Sequence, residues 1–86
     1  MLAKHTFSIH AECPLVPHKQ WDYYTVSIQT EDMIDVHYLE GVMDSVRGIR
    51  ATQEDIATIV KQQLNCEAIV EIAGRHSQNS ILTVFV

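Results

Sequence analysis

The spacing of apolar residues changes period twice along this chain, and that double change restricts the folds open to it. Residues 5–12 alternate, with Phe7, Ile9 and Ala11 on one side and Thr6, Ser8, His10 and Glu12 on the other, the period of a half-buried strand. Residues 22–30 alternate again, Tyr24, Val26 and Ile28 opposing Tyr23, Thr25, Ser27 and Gln29, and their β-branched and aromatic content suits a strand. From Asp35 the period lengthens. Leu39, Val42, Met43 and Val46 recur at helical spacing, with Asp35 as N-cap and Gly48 just past the end. A second stripe, Ile56, Ile59, Val60 and Leu64, follows the cap Thr52 and the acidic pair Glu54 and Asp55, whose charge suits a helix N-terminus. Residues 67–74 and 80–86 return to strand composition, and the polar connection at 75–79 predicts a hairpin. The order β-β-α-α-β-β predicts an α+β fold: a four-stranded antiparallel sheet with two helices on one face.

Length and charge narrow the function. A chain of 86 residues holds one domain, 1–86, with one modest core. Six Lys and Arg against eleven Asp and Glu give a formal charge of -5 without a basic cluster, which argues against the nucleic-acid backbone as a partner. No run of about 18 apolar residues is available for a membrane span, and the first ten residues lack a signal-peptide core. A cytoplasmic location follows as the expectation, with Cys13 and Cys66 as free thiols.

Chemistry concentrates at residues 7–28. Two alternating strands flank a loop that opens on Cys13-Pro14 and closes on Asp22, so a thiol and a carboxylate stand at opposite ends of one polar loop. Cys13 reads as a nucleophile, with Asp22 as proton donor, or as a small buried hydrophobe at a strand end. His18 and Lys19 are the local groups that would favour a thiolate. Glu54 reads as a bidentate anchor for paired N–H groups of a ligand, or as a complement to the helix N-terminus. Glu71 is a second candidate for that anchor, although its alternation with Val70 and Ile72 turns it to solvent. His5, His10, Cys13, His18 and His37 offer metal ligands without a tight ligand spacing, so no metal site is expected.

The element order resembles the tunnelling fold of pterin- and purine-handling enzymes, whose subunits join sheet edges into barrels with active sites between them. In the 6-pyruvoyl-tetrahydropterin synthase branch, zinc is held by histidines; here His10 lies near one such place, but Gln20-Trp21-Asp22 stands where a His-x-His is needed. The branch that reduces 7-cyano-7-deazaguanine in queuosine synthesis is more similar in pattern. Cys13-Pro14, Asp22, Asp35 and Ser45-Val46-Arg47 resemble its motifs, and Gln53-Glu54 occupies the place of its base-gripping His-Glu pair. The resemblance implies that Cys13 forms a covalent thioimide with a nitrile, that Asp22 donates the proton, and that Gln53 and Glu54 bind the heterocycle.

His37 and Glu40 stand where that branch has two lysines for the nicotinamide cofactor, and residues 75–79 lack its glycine pair. The NADPH motif is therefore degraded, and no cofactor is expected. The related amidine-forming, QueF-like enzymes of archaeal transfer RNA modification share the thiol chemistry without the reduction. Two functional readings stay open: a thiol-dependent enzyme acting on a 7-deazaguanine-like or pterin-like heterocycle, and a non-catalytic member that keeps the scaffold. The expected partners are a small planar heterocycle and further copies of the chain, because the apolar edge SILTVFV would otherwise stay unpaired.

Overall fold

Each change of apolar period marks a change of element in the computed structural model, which describes residues 1–86. Strands β1 (Ala3–Glu12) and β2 (Trp21–Thr30) precede helices α1 (Val36–Val46) and α2 (Gln53–Gln63), and strands β3 (Ile69–Ser77) and β4 (Ser80–Phe85) follow. The four strands form one antiparallel sheet in the order β1-β2-β3-β4. Helix α1 packs on β1 and α2, while α2 packs on β3 and β4. The α+β architecture expected from the sequence is the one observed.

The core lies between helices and sheet. Phe7, Ile9 and Ala11, then Tyr24, Val26 and Ile28, then Val70 and Ile72 form its strand side; Leu39, Met43, Val46, Ile56 and Val60 form its helix side. The Asp35 carboxylate accepts from His37 N at 2.8 Å and the Thr52 hydroxyl from Asp55 N at 3.2 Å, caps that stabilise a helix by about 1 kcal/mol each. Gly48 ends α1 with φ +79°, a left-handed backbone that glycine adopts without a Cβ penalty. Neither helix is long and apolar enough to cross a membrane.

Two local expectations are corrected. The hairpin expected at 75–79 is present, but its connection is shorter: β3 runs on to Ser77 with a register shift between Arg75 and Ser77, leaving a tight turn at Gln78-Asn79. Arg75 holds that turn by donating to Gln78 O at 2.9 Å. In α2, Ile59 is only half-buried, and Ala57 and Gln53 take inward positions instead.

The link between the helices fixes what matters for the site. Gly48 N donates to His10 O (2.8 Å), Glu12 N to Ile49 O (2.7 Å), and Ala51 N to Glu12 O (3.2 Å). This short parallel pairing sets the start of α2 beside the end of β1.

Candidate functional site

Strand phase brings a thiol, two carboxylates and an imidazole to one end of the helix-covered face. Cys13 continues the inward phase of Phe7, Ile9 and Ala11 just past the end of β1. Asp22 lies two residues before the buried Tyr24 on β2, hence on the same face. Glu54 comes from the first turn of α2. His76, two residues beyond the buried Gly74 on β3, is exposed, and its Nε2 lies 2.7 Å from Gln53 Oε1 at this end of the sheet. A cavity of about 200 Å³ forms where these segments meet, with Cys13, Asp22, Gln53, Glu54, Arg75 and His76 in its lining.

The loop carrying Cys13 is held at both ends. Cys13 N donates to Gln20 O at 2.9 Å and closes it. Arg50, from the interhelical link, reaches across: one guanidinium nitrogen meets Glu12 Oε2 at 2.5 Å, and the other donates to the carbonyls of Pro14 (3.3 Å) and Val16 (3.1 Å). A planar fork with several donors suits such a multiple attachment.

Asp22 accepts from Gln20 Nε2 at 3.5 Å and from the Tyr24 hydroxyl at 3.4 Å. The Tyr24 phenol is pushed up to about 12 by burial first, then by the charge and hydrogen bond of Asp22, with smaller contributions from Cys13 and Glu54. Tyr24 therefore stays protonated and donates into the site. Tyr24 is 5% exposed, and the phase that marks it as core also places it in the cavity lining.

Of the residues singled out from sequence, Cys13, Asp22, Gln53 and Glu54 come together and Glu71 does not. Glu71 sits on the opposite face of the sheet, paired across the ladders with Ser27 and Phe85. Gln53 lines the cavity but is only 3% exposed. Its Nε2 donates to the carbonyls of Ile72 (2.8 Å) and Leu82 (2.9 Å), and its Oε1 lies 2.7 Å from His76 Nε2. Its side chain is thus committed to joining α2 to β3 and β4. His18 and Lys19 do not line the cavity; the Lys19 ammonium lies over Trp21, 4.7 Å from the ring centroid.

Tyr24, Arg75 and His76 were absent from the sequence-derived site. Continuing the β3 alternation from Gly74 puts His76 in phase with the buried positions, a signal masked by the polar composition of 75–79. Elsewhere, a wider groove of about 850 Å³ at the far end of the sheet includes Cys66, whose Sγ is 3.9 Å from Thr30 Oγ1. No cluster of three or more His, Cys, Asp or Glu side chains is arranged to hold a metal ion.

No protein-family model matches the chain, and no curated protein matches it in sequence. Among solved structures, the archaeosine synthase QueF-Like in the apo form is similar, with a TM-score of 0.81 and 16% sequence identity over 99% of this chain and 90% of that chain. At that identity the likeness speaks to architecture: this chain has the QueF-like fold.

Proposed function

We propose that the cavity binds a planar heterocycle of the 7-deazaguanine type and that Cys13 adds to a nitrile carbon on it. The observation that carries this reading is the meeting of Cys13, Asp22 and Glu54, from three separate segments, in one cavity lining. In the addition, the Cys13 S–H bond breaks and the S–C bond forms as one π pair of the nitrile moves to nitrogen, which gains a proton, so the proton count is unchanged; the product is a thioimide. Asp22 handles that proton, and Glu54 accepts paired N–H groups from the ring edge. Ammonia attacking the thioimide would give an amidine and return the thiol.

Reduction by a nicotinamide cofactor is not part of this reading. His37 and Glu40 lie on α1 outside the cavity lining, and the Glu40 carboxylate is turned to Arg47 at 3.4 Å. These residues do not fit an anionic dinucleotide.

The outer edge of β4 supports pairing with a second copy, since Ile81, Leu82 and Phe85 are exposed along it. The cavity volume, about 200 Å³, is below the range of about 300–1,000 Å³ usual for small-molecule sites. This favours a wall supplied by another copy. A binding module without chemistry is the second reading, favoured by the commitment of Gln53 to the carbonyls of Ile72 and Leu82.

Intact-mass spectrometry after incubation with 7-cyano-7-deazaguanine tests the proposal. An adduct is expected on the wild type and none on Cys13→Ala. Saturable binding without an adduct would favour the binding module; a folded protein that neither binds nor forms the adduct would sink both. Sedimentation as a monomer at micromolar concentration would count against paired sheet edges.

A further inference from the structure

Three hydrogen bonds around Gln53 fix more than its own position. Its side-chain nitrogen meets two main-chain carbonyls, Ile72 O at 2.8 Å and Leu82 O at 2.9 Å. Carbonyls only accept, so the group facing them is the NH₂ end of the amide. The amide oxygen is thereby turned to His76, 2.7 Å from Nε2. An amide oxygen also only accepts, so Nε2 carries a proton. In a neutral ring that leaves the lone pair on Nδ1.

A nucleophilic Cys13 needs a group to take its proton, because the thiol itself is a weak nucleophile. The basic side chains nearest in sequence, His10, His18 and Lys19, do not line the cavity. Arg75 does line it, but guanidinium stays protonated and cannot accept. The carboxylates of Asp22 and Glu54 are weaker bases than an imidazole by chemical type. His76 lines the same cavity as Cys13 and, through Gln53, presents a basic nitrogen of defined identity.

We propose that His76 is the general base that ionises Cys13, and that Gln53 is the positioning residue that holds its Nε2–H tautomer. This rests on the reading of Cys13 as a nucleophile. The Cys13 S–H bond breaks, its electron pair stays on sulfur, and the proton passes to His76 Nδ1 directly or through one water. The products are a thiolate and an imidazolium. The charged and titratable groups that share the cavity lining with His76 are Asp22 from β2, Glu54 from α2, Arg75 on β3, Cys13 and the protonated phenol of Tyr24.

The experiment measures alkylation of Cys13 by iodoacetamide across a pH series, in a Cys66→Ser background so that one thiol reports. His76→Asn and His76→Gln are compared with the parent, and circular dichroism establishes that each is folded. Near neutral pH, both variants are expected to react about tenfold or more slowly, with the loss shrinking as pH rises and the thiol ionises unaided. Long-range ¹H–¹⁵N correlation on the parent should show the Nε2–H tautomer of His76, and Gln53→Met should convert it to a mixture. Unchanged alkylation in the folded His76 variants would overturn the base assignment. A parent His76 protonated at Nδ1 alone would do the same, whether or not the Gln53 variant folds. Because no heterocycle is used, the outcome is separable from the substrate reading: a missing nitrile adduct with His76-dependent alkylation removes the substrate class and leaves the base.

Discussion

The ring of Tyr24 fills the space that a side chain at Gly74 would need: a β-carbon built there would stand 2.4 Å from Tyr24 Cδ1 and 2.5 Å from Cε1. The two residues are cross-strand partners on β2 and β3, so the missing side chain lets the aromatic ring settle against the neighbouring backbone. Gly74→Ala must displace a buried ring, and overpacking of this kind costs about 1–3 kcal/mol. Urea unfolding should show a lowered midpoint with little change in slope. An unchanged midpoint would mean that the ring has room to move.

Tyr24 also gives the site a signature at high pH. Its phenol is pushed up to about 12, above the ordinary value of about 10, so the folded chain holds a proton that the unfolded chain releases in between. The resulting stabilisation is complete below about pH 10 and is lost as pH rises through about 12. Tyr24→Phe removes the titrating group, and the decline in stability across that window should be shallower than in the wild type. Unfolding curves collected at stepped alkaline pH provide the comparison, and parallel declines would contradict the assignment.

Gln53→Leu keeps an inward side chain of similar size but deprives the carbonyls of Ile72 and Leu82 of their donor. An unsatisfied buried polar group costs about 1–3 kcal/mol. Chemical denaturation should register a loss in that range, whereas a neutral substitution would show that water reaches these carbonyls.

Arg50→Ala releases both the Glu12 carboxylate and the two loop carbonyls that the guanidinium holds. Because the pair is partly exposed, the global effect should be small, about 1 kcal/mol or less. The local effect should be larger: amide hydrogen exchange across residues 13–20 is expected to accelerate while the β2 and β3 amides keep their protection. Uniform acceleration would instead point to global destabilisation.

Glu54→Gln removes one charge from an exposed position and should leave stability within about 1 kcal/mol, the scale of a helix-terminus charge. Loss of a charge-assisted contact is worth about 1.5–3 kcal/mol, so calorimetry with 7-cyano-7-deazaguanine should show binding weakened by about tenfold or more. Equal affinities would remove Glu54 as the ring anchor.

The fold was legible because its main instructions are local. Alternation around Val26, the helical spacing of Leu39 to Val46 and the caps Asp35 and Thr52 each act within a few residues. Half of the site was legible for the same reason: Cys13 and Asp22 lie at strand ends, and Glu54 lies in the first turn of a helix. What could not be read depends on distance in the chain. Nothing near Gln53 announces that its amide will be claimed by two strands that follow it, and nothing near Arg50 points to the carbonyls of Pro14 and Val16. His76 was hidden by a different cause, since polar residues with strand geometry look like a loop when their partner strand is not in view.

The cavity draws its walls from positions 13 through 76, and that spread has a kinetic consequence. The β1–β2 hairpin contains Cys13 and Asp22, but Gln53 and His76 reach them only after β3 has paired with β2 across both intervening helices. Long-range pairings of this kind form late relative to hairpins and helices. A chain stalled at the hairpin carries Cys13 as an ordinary thiol, without the surroundings proposed to ionise it. Thiol reactivity would then switch on with the last long-range pairing, making Cys13 a reporter of the completed fold.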